Sequence, residues 1–200
     1  MKTISAWRLN VSETATAYSV EAFGQDVERI MAGATDRRAA VEQVKPLLAR
    51  LMERQDLLDP RYAKTTPEGQ TRYEFYRSAD GTLTVGGPVF QPNRPTYVHN
   101  HNTWGVIGIY AGRQKTTRFL REDDGSTPGK ARLTQTSDDV LDKGSIYFLL
   151  PPDDIHQIEA IGGTSLSIHV LGVDLRKQHR QIFDVEAGTY RDIHGEGVMR

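Results

Sequence analysis

The chain carries two hydrophobic rhythms in succession. Across residues 19–32, Val20, Phe23, Val27, Ile30 and Met31 recur at helical spacing, the stripe of a half-buried helix. Gly33 ends that pattern, and Thr35 or Asp36 can cap a second one. The second stripe holds Ala40, Val41, Val44, Leu47, Leu48, Leu51 and Met52, with Pro46 inside it. A proline there lacks the N–H that a helix needs, so a kink or a restart is expected. From about Tyr73 the period shortens. YEFYR, TLTVGGPVF, YVHNH, GVIGIYAG, TTRFLRE, ARLTQTS, SIYFLL, IHQIEAI and TSLSIHVLGV are β-rich, separated by turn signals such as ADG, QPNRP, DDGSTPG, DKG and PPDD. Many short strands at this spacing indicate an all-β sandwich or barrel.

Length places these rhythms in one unit. With 200 residues the expectation is a single domain over 1–200, able to bury a core without staples. Residues 1–60 form its mostly helical N-terminal segment and 70–175 its β-barrel core. Residues 176–200 read as a polar, irregular tail, its last piece HGEGVMR prone to fray. Net charge is −1, which gives no electrostatic reason to expect nucleic acid or an anionic membrane as partner. Apolar runs such as IYFLL are too short to span a bilayer. The opening MKTISAWRLNVSETATAYS lacks the apolar stretch of a secretory signal, so a cytoplasmic location is expected. The absence of cysteine excludes disulfides and protein thiolate chemistry.

Histidine spacing brings in chemistry. On a strand, residues i and i+2 point to one face, so His99 and His101 of HNH project together while Asn100 turns away. Two imidazoles on one face are half of a metal site, although such pairs also occur on solvated strands. A turn glycine (Gly144), the SIYFLL strand and PPDDIH bring in His156. Together these resemble the two-part cupin signature over residues 87–172: G…H-x-H…G, then a glycine, a strand and P-x-G-x-x-H. Asp153 stands at the usual second glycine, and no carboxylate follows His101 within residues 102–106, where a glutamate is usual. The resemblance implies a double-stranded β-helix, or cupin jelly roll, with N-terminal α-helices packed on it and with both motifs meeting inside the barrel. A divalent ion held by three neutral imidazoles keeps its full charge. It can therefore take an anionic ligand such as a thiolate, enolate or carboxylate, and three ligands leave positions open.

The strand TSLSIHVLG puts Ser165, Ser167, His169 and Leu171 on one face. With LLPPDDIHQIEAIGG it resembles the thiol dioxygenases of the cysteine dioxygenase superfamily over residues 73–184, nearest the bacterial 3-mercaptopropionate dioxygenase branch, whose pattern is S-I-H-V-Y-G. That resemblance implies Fe(II) on His99, His101 and His156, and addition of dioxygen to a substrate thiol to give a sulfinate. It also implies a hydrogen-bonded relay that includes Ser167 and His169. Read without the resemblance, Ser167 and His169 are a hydrogen-bonded pair facing a barrel interior. The family's relay tyrosine is Leu171 here, which has no donor or acceptor. Tyr97, Tyr110 and Tyr147 lie on neighbouring β segments, any of which can point inward. Lack of cysteine also rules out the Cys–Tyr crosslink of mammalian-type enzymes.

Arg180, in DLRKQHRQIFD, matches the arginine that binds the substrate carboxylate in the mercaptopropionate branch, and Arg72, in QTRYEF, falls near the equivalent of the cysteine-specific branch. A guanidinium suits a carboxylate through its planar fork, yet Arg176, Lys177, His179 and Arg180 also read as a solvated basic turn. Trp104 reads as core or pocket wall, and His179 and His194 as surface. The expected partners are a small thiol or organic acid, dioxygen, and, through an exposed sheet edge or helix face, a second copy of the chain. Two other activities fit the same residues: a three-histidine cupin oxygenase cleaving a C–C bond of a non-thiol substrate, and a cupin that binds a small molecule without turnover.

Overall fold

The computed structural model describes residues 18–59, 63–65 and 71–194. Helix α1 (Val20–Ala32) starts where the apolar stripe does, with Ser19 Oγ accepting from the Ala22 N–H at 3.0 Å. Asp36, rather than Thr35, caps α2 (Arg37–Met52) by accepting from the N–H groups of Arg38 and Ala39. The chain does not restart at Pro46: one helix runs through it. Its stripe of Val41, Val44, Leu48, Leu51 and Met52 is buried, and tertiary burial of that kind outweighs one missing backbone hydrogen bond. No helix among the described residues is long and apolar enough to cross a membrane.

Twelve strands follow among the described residues. They are β1 (Ala63–Thr65), β2 (Thr71–Arg77), β3 (Thr84–Phe90), β4 (Val98–His99), β5 (Gly105–Ala111), β6 (Arg113–Arg121), β7 (Leu133–Asp142), β8 (Ile146–Leu149), β9 (Ile155–Ala160), β10 (Ser165–Leu171), β11 (His179–Asp184) and β12 (Thr189–His194). They form two six-stranded sheets, ordered β1-β2-β3-β10-β5-β8 and β12-β11-β4-β9-β6-β7. Every pairing within them is antiparallel, and long crossovers set β10 between β3 and β5 and β9 between β4 and β6. This is the jelly roll, with two helices added at its N-terminal side.

The first sheet is covered on both faces. Phe75, Val85, Val106, Tyr110, Leu166, Ile168 and Val170 join Phe23, Val27, Val44, Leu48 and Leu51 in one core under the helices. The alternate positions of the same strands face the second sheet, and β10 is therefore buried along its whole length. Phe90, Ile158 and Ala160 form an apolar cluster that bridges the two sheets.

The segment after Leu175 departs from expectation. Residues 176–200 read as an irregular tail, but β11 and β12 are paired to each other, and β11 pairs with β4 inside the second sheet. Alternation was hard to see because an inward position is filled by Arg180 rather than by an apolar residue. Residues 195–200, most of HGEGVMR, lie outside the described residues. YVHNH also shortens: β4 ends at His99, so His101 lies in the loop beyond it.

Candidate metal centre

The strand register places the histidines. Ile182 of β11 faces His99 of β4, His99 faces His156 of β9, and His156 faces Arg118 of β6. Directly opposed residues of antiparallel strands share a face, so these four side chains form one row on the inner face of the second sheet. His101 joins them from its loop rather than by strand alternation. The loop is pinned by Asp154, whose Oδ2 accepts from the N–H of His101 at 2.9 Å and of Asn102 at 2.7 Å. Asn102 takes a positive φ of 51° there, tolerable for asparagine. Gln178 adds Nε2 donations to the carbonyls of His101 and Asn102.

All three rings are buried, at 2, 3 and 0% exposure for His99, His101 and His156. Nε2 of His156 lies 3.2 Å from Nε2 of both His99 and His101, and the three residues form a group able to hold one ion. Ligand bonds of about 2.0–2.1 Å at tetrahedral or octahedral angles put neighbouring donor nitrogens roughly 2.8–3.4 Å apart, so the spacing fits a metal. The tautomer fits as well. His99 Nδ1–H donates to the Tyr97 carbonyl at 2.9 Å, leaving Nε2 with a lone pair. Burial pushes His99 down to about 3 and holds His101 and His156 well below the ordinary imidazole value. Neutral imidazole is the form that binds a metal.

Beside this cluster, Ser167 Oγ and His169 Nε2 are 2.8 Å apart, both buried on β10. The His169 ring centroid is 6.3 Å from that of His101 and 6.2 Å from that of Phe90. Burial pushes His169 to about 3 as well. Leu171 continues the same face at 1% exposure, opposite Gly105.

Of the three tyrosines, Tyr97 is exposed and Tyr110 turns to the helices, donating to the Arg54 carbonyl. Tyr147 of β8 faces inward, two strands from His169 along the row His169–Ile107–Tyr147. Burial raises its hydroxyl to about 12, and the hydroxyl of Thr116 lies beside it. Apart from each other, neither hydroxyl has a hydrogen-bond partner among the described residues.

Arg180 is buried to 2% exposure, and its charge lowers the proton affinity of His99 and His101. The solvated-turn reading of Arg180 is thereby overturned. Arg72 lies on β2 opposite Pro88, two residues from Glu74, whose row runs through Gly86 to His169; it therefore shares the inner face, with its guanidinium 3.8 Å from Glu74. Of the two arginines singled out in the sequence, Arg180 is the one whose charge acts on the imidazoles. Trp104 belongs to the helix-side core. His179 and His194 stack at 4.9 Å on the surface. Two residues here escaped the sequence reading, Asp154 and Arg118, and Tyr147 is the one of the three candidate tyrosines that turns inward. Nothing in PPDDIH marks which aspartate is buried, and TTRFLRE carries an inward arginine where a barrel strand ordinarily turns an apolar residue.

No protein-family model matches the chain. Among solved structures it is similar to KdgF from Halomonas sp., at 13% identity over 58% of this chain and 93% of that one, with a TM-score of 0.43. An RmlC-like cupin from Shewanella frigidimarina matches at 18% identity over 56% of this chain and 82% of its own, TM-score 0.41. A cupin 2 conserved barrel domain protein from Salinispora arenicola matches at 13% identity over 57% and 83%, TM-score 0.39.

Proposed function

We propose that this protein is an iron(II)-dependent dioxygenase that converts the thiol of a small carboxylic acid to a sulfinate. The observation that carries the reading is the convergence of three buried, neutral imidazoles beside a buried Ser167–His169 pair. When bound, Fe(II) supplies one coordination sphere in which thiolate and dioxygen are brought together. The three neutral donors leave its charge uncancelled, which favours an anionic sulfur ligand. Ser167 holds the His169 imidazole through Nε2, leaving Nδ1 as the ring's other proton site. Arg180, close enough to act electrostatically on His99 and His101, supplies the fork for the substrate carboxylate. Phe90, Ile158 and Leu171 are apolar and nearly fully buried around the polar groups, which excludes water and strengthens each charge interaction.

Leu171 favours a second reading. A phenol is missing where the thiol dioxygenase pattern has one, and the space is filled by a side chain without a donor. A three-histidine oxygenase that cleaves a C–C bond of an enol or phenol has no need of that donor. Anaerobic reconstitution with Fe(II), followed by dioxygen uptake and mass spectrometry, separates the two. Uptake with 3-mercaptopropionate, cysteine or a larger thiol acid, yielding a product heavier by two oxygens, is expected. Absence of uptake with every thiol in iron-replete protein removes the reading. Uptake with a chelating enol alone supports the second activity, and tight binding without product supports a non-catalytic cupin.

A further inference from the structure

Arg118 is a cation on the inner face of the barrel for which the proposed chemistry has no use. Its register partner is His156, its guanidinium lies 5.2 Å over the Tyr147 ring, and Nη2 donates to the Phe148 carbonyl at 3.0 Å across to the other sheet. No carboxylate among the described residues pairs with it. Its charge is felt at His156, as that of Arg180 is at His99 and His101.

The strand order β11-β4-β9-β6 puts these two arginines on opposite flanks of the imidazole row. Three strand spacings and a two-residue offset along β11 separate their backbones, roughly 16 Å, and both residues lie on the inner face that carries the histidines. Near Arg118 the wall offers the hydroxyls of Tyr147 and Thr116, which lie beside each other and have no other partner among the described residues. Thr116 is 1% exposed. Two neighbouring hydroxyls leave at least one O–H without an acceptor, which is costly when buried, and a bound anion beside the guanidinium meets that cost.

We propose that the site takes an acid with two anionic groups, a small dicarboxylic acid whose second carboxylate is bound by Arg118 with the Tyr147 and Thr116 hydroxyls donating to it. This rests on the reading above for the first carboxylate, at Arg180, and it makes Arg118 the specificity-determining residue. A monocarboxylic acid leaves Arg118 unused, whereas a dicarboxylate can engage a guanidinium on each flank of the metal centre.

Calorimetric titration tests this without turnover, on protein loaded with redox-inert zinc. Succinate is expected to bind at least about tenfold more tightly than butyrate, its one-carboxylate analogue. Arg118→Gln is expected to abolish that difference by weakening succinate, with a much smaller change for butyrate. Arg118→Lys, which keeps the charge and reports on folding together with a thermal melt, is expected to retain part of it. Equal affinities for succinate and butyrate in the unmodified protein overturn the proposal, as does equal weakening of both ligands by Arg118→Gln in a variant that melts normally. In the oxygen assay, a thiol dicarboxylate is expected to outperform 3-mercaptopropionate, with Arg118→Gln lowering kcat/KM for the dicarboxylate alone. If succinate binding depends on Arg118 but no thiol is oxidised, the thiol reaction fails and this assignment stands. If 3-mercaptopropionate is oxidised but succinate gains nothing over butyrate, this assignment fails and the reaction stands.

Discussion

Asp154 shows how much a single side chain outside the imidazole cluster decides. Its carboxylate sits at 2% exposure and accepts two backbone N–H groups from the loop that carries His101. Burial raises its pKa, opposed by those two donations. Replacing it with alanine orphans two buried donors, at about 1–3 kcal/mol each when unsatisfied, and releases the one metal-directed histidine that no strand holds. Asp154→Ala is therefore expected to weaken metal binding by roughly 10–100-fold, measured by competition with a chromophoric chelator. Asp153→Ala, at an exposed neighbouring position, is expected to change little; equal losses in the two variants would show that the loop needs no such anchor. The chemistry-bearing residues legible in the sequence were those with distinctive types at distinctive spacing: His99, His101, His156, Ser167 and His169. Asp154 was not among them, because two adjacent aspartates carry no mark of which one turns inward. Arg118 was hidden, and Tyr147 was not distinguishable from Tyr97 and Tyr110, for a related reason, since only the register with β9 and β5 reveals their faces.

At the scale of elements, the turn between β5 and β6 joins sequence to site. Gly112 has φ +73°, and a Cβ there would lie 2.6 Å from the Thr164 carbonyl oxygen and 2.8 Å from Ser165 Cα. Both are backbone atoms at the entry to β10, the strand that carries Ser167 and His169. Gly162 has the same φ with nothing within 4 Å of such a Cβ. Gly162→Ala thus pays only for the left-handed conformation, about 1–2 kcal/mol, whereas Gly112→Ala adds a backbone collision of about 1–3 kcal/mol. Chemical denaturation is expected to rank Gly112→Ala as the more destabilised of the two, and the reverse order would refute the steric argument. Most elements were legible because strands and helices differ in period. The exception, the β11–β12 hairpin, eluded that logic because a barrel built around a polar site turns charged residues inward. Arg180 broke the alternation that would have marked its strand.

For the whole molecule, the buried imidazoles tie stability to pH. His99 and His169 are pushed to about 3 in the fold, against about 6.5 in an unfolded chain. Above 6.5 both states are neutral and these groups do not bias folding. As pH falls below 6.5 the unfolded chain takes up protons that the folded one refuses, so stability drops, by up to about 1.4 kcal/mol per pH unit for each such histidine. The drop continues toward pH 3, where the folded imidazoles also protonate. Metal-free protein is expected to show a thermal midpoint that declines steadily from pH 7 to pH 5. Added divalent metal should raise the midpoint most at pH 7, where protons do not compete for the three lone pairs. A flat midpoint over that interval would mean that the imidazoles are not held neutral by burial.

Every step from barrel to chemistry passes through one ion shared by residues far apart in the chain. The most direct measurement is a crystal structure of iron-loaded protein with diffraction recorded on both sides of the iron absorption edge. The account predicts one strong anomalous peak about 2.0–2.2 Å from Nε2 of each of His99, His101 and His156. A peak bound elsewhere, or one that leaves any of these three rings outside bonding distance, would contradict it.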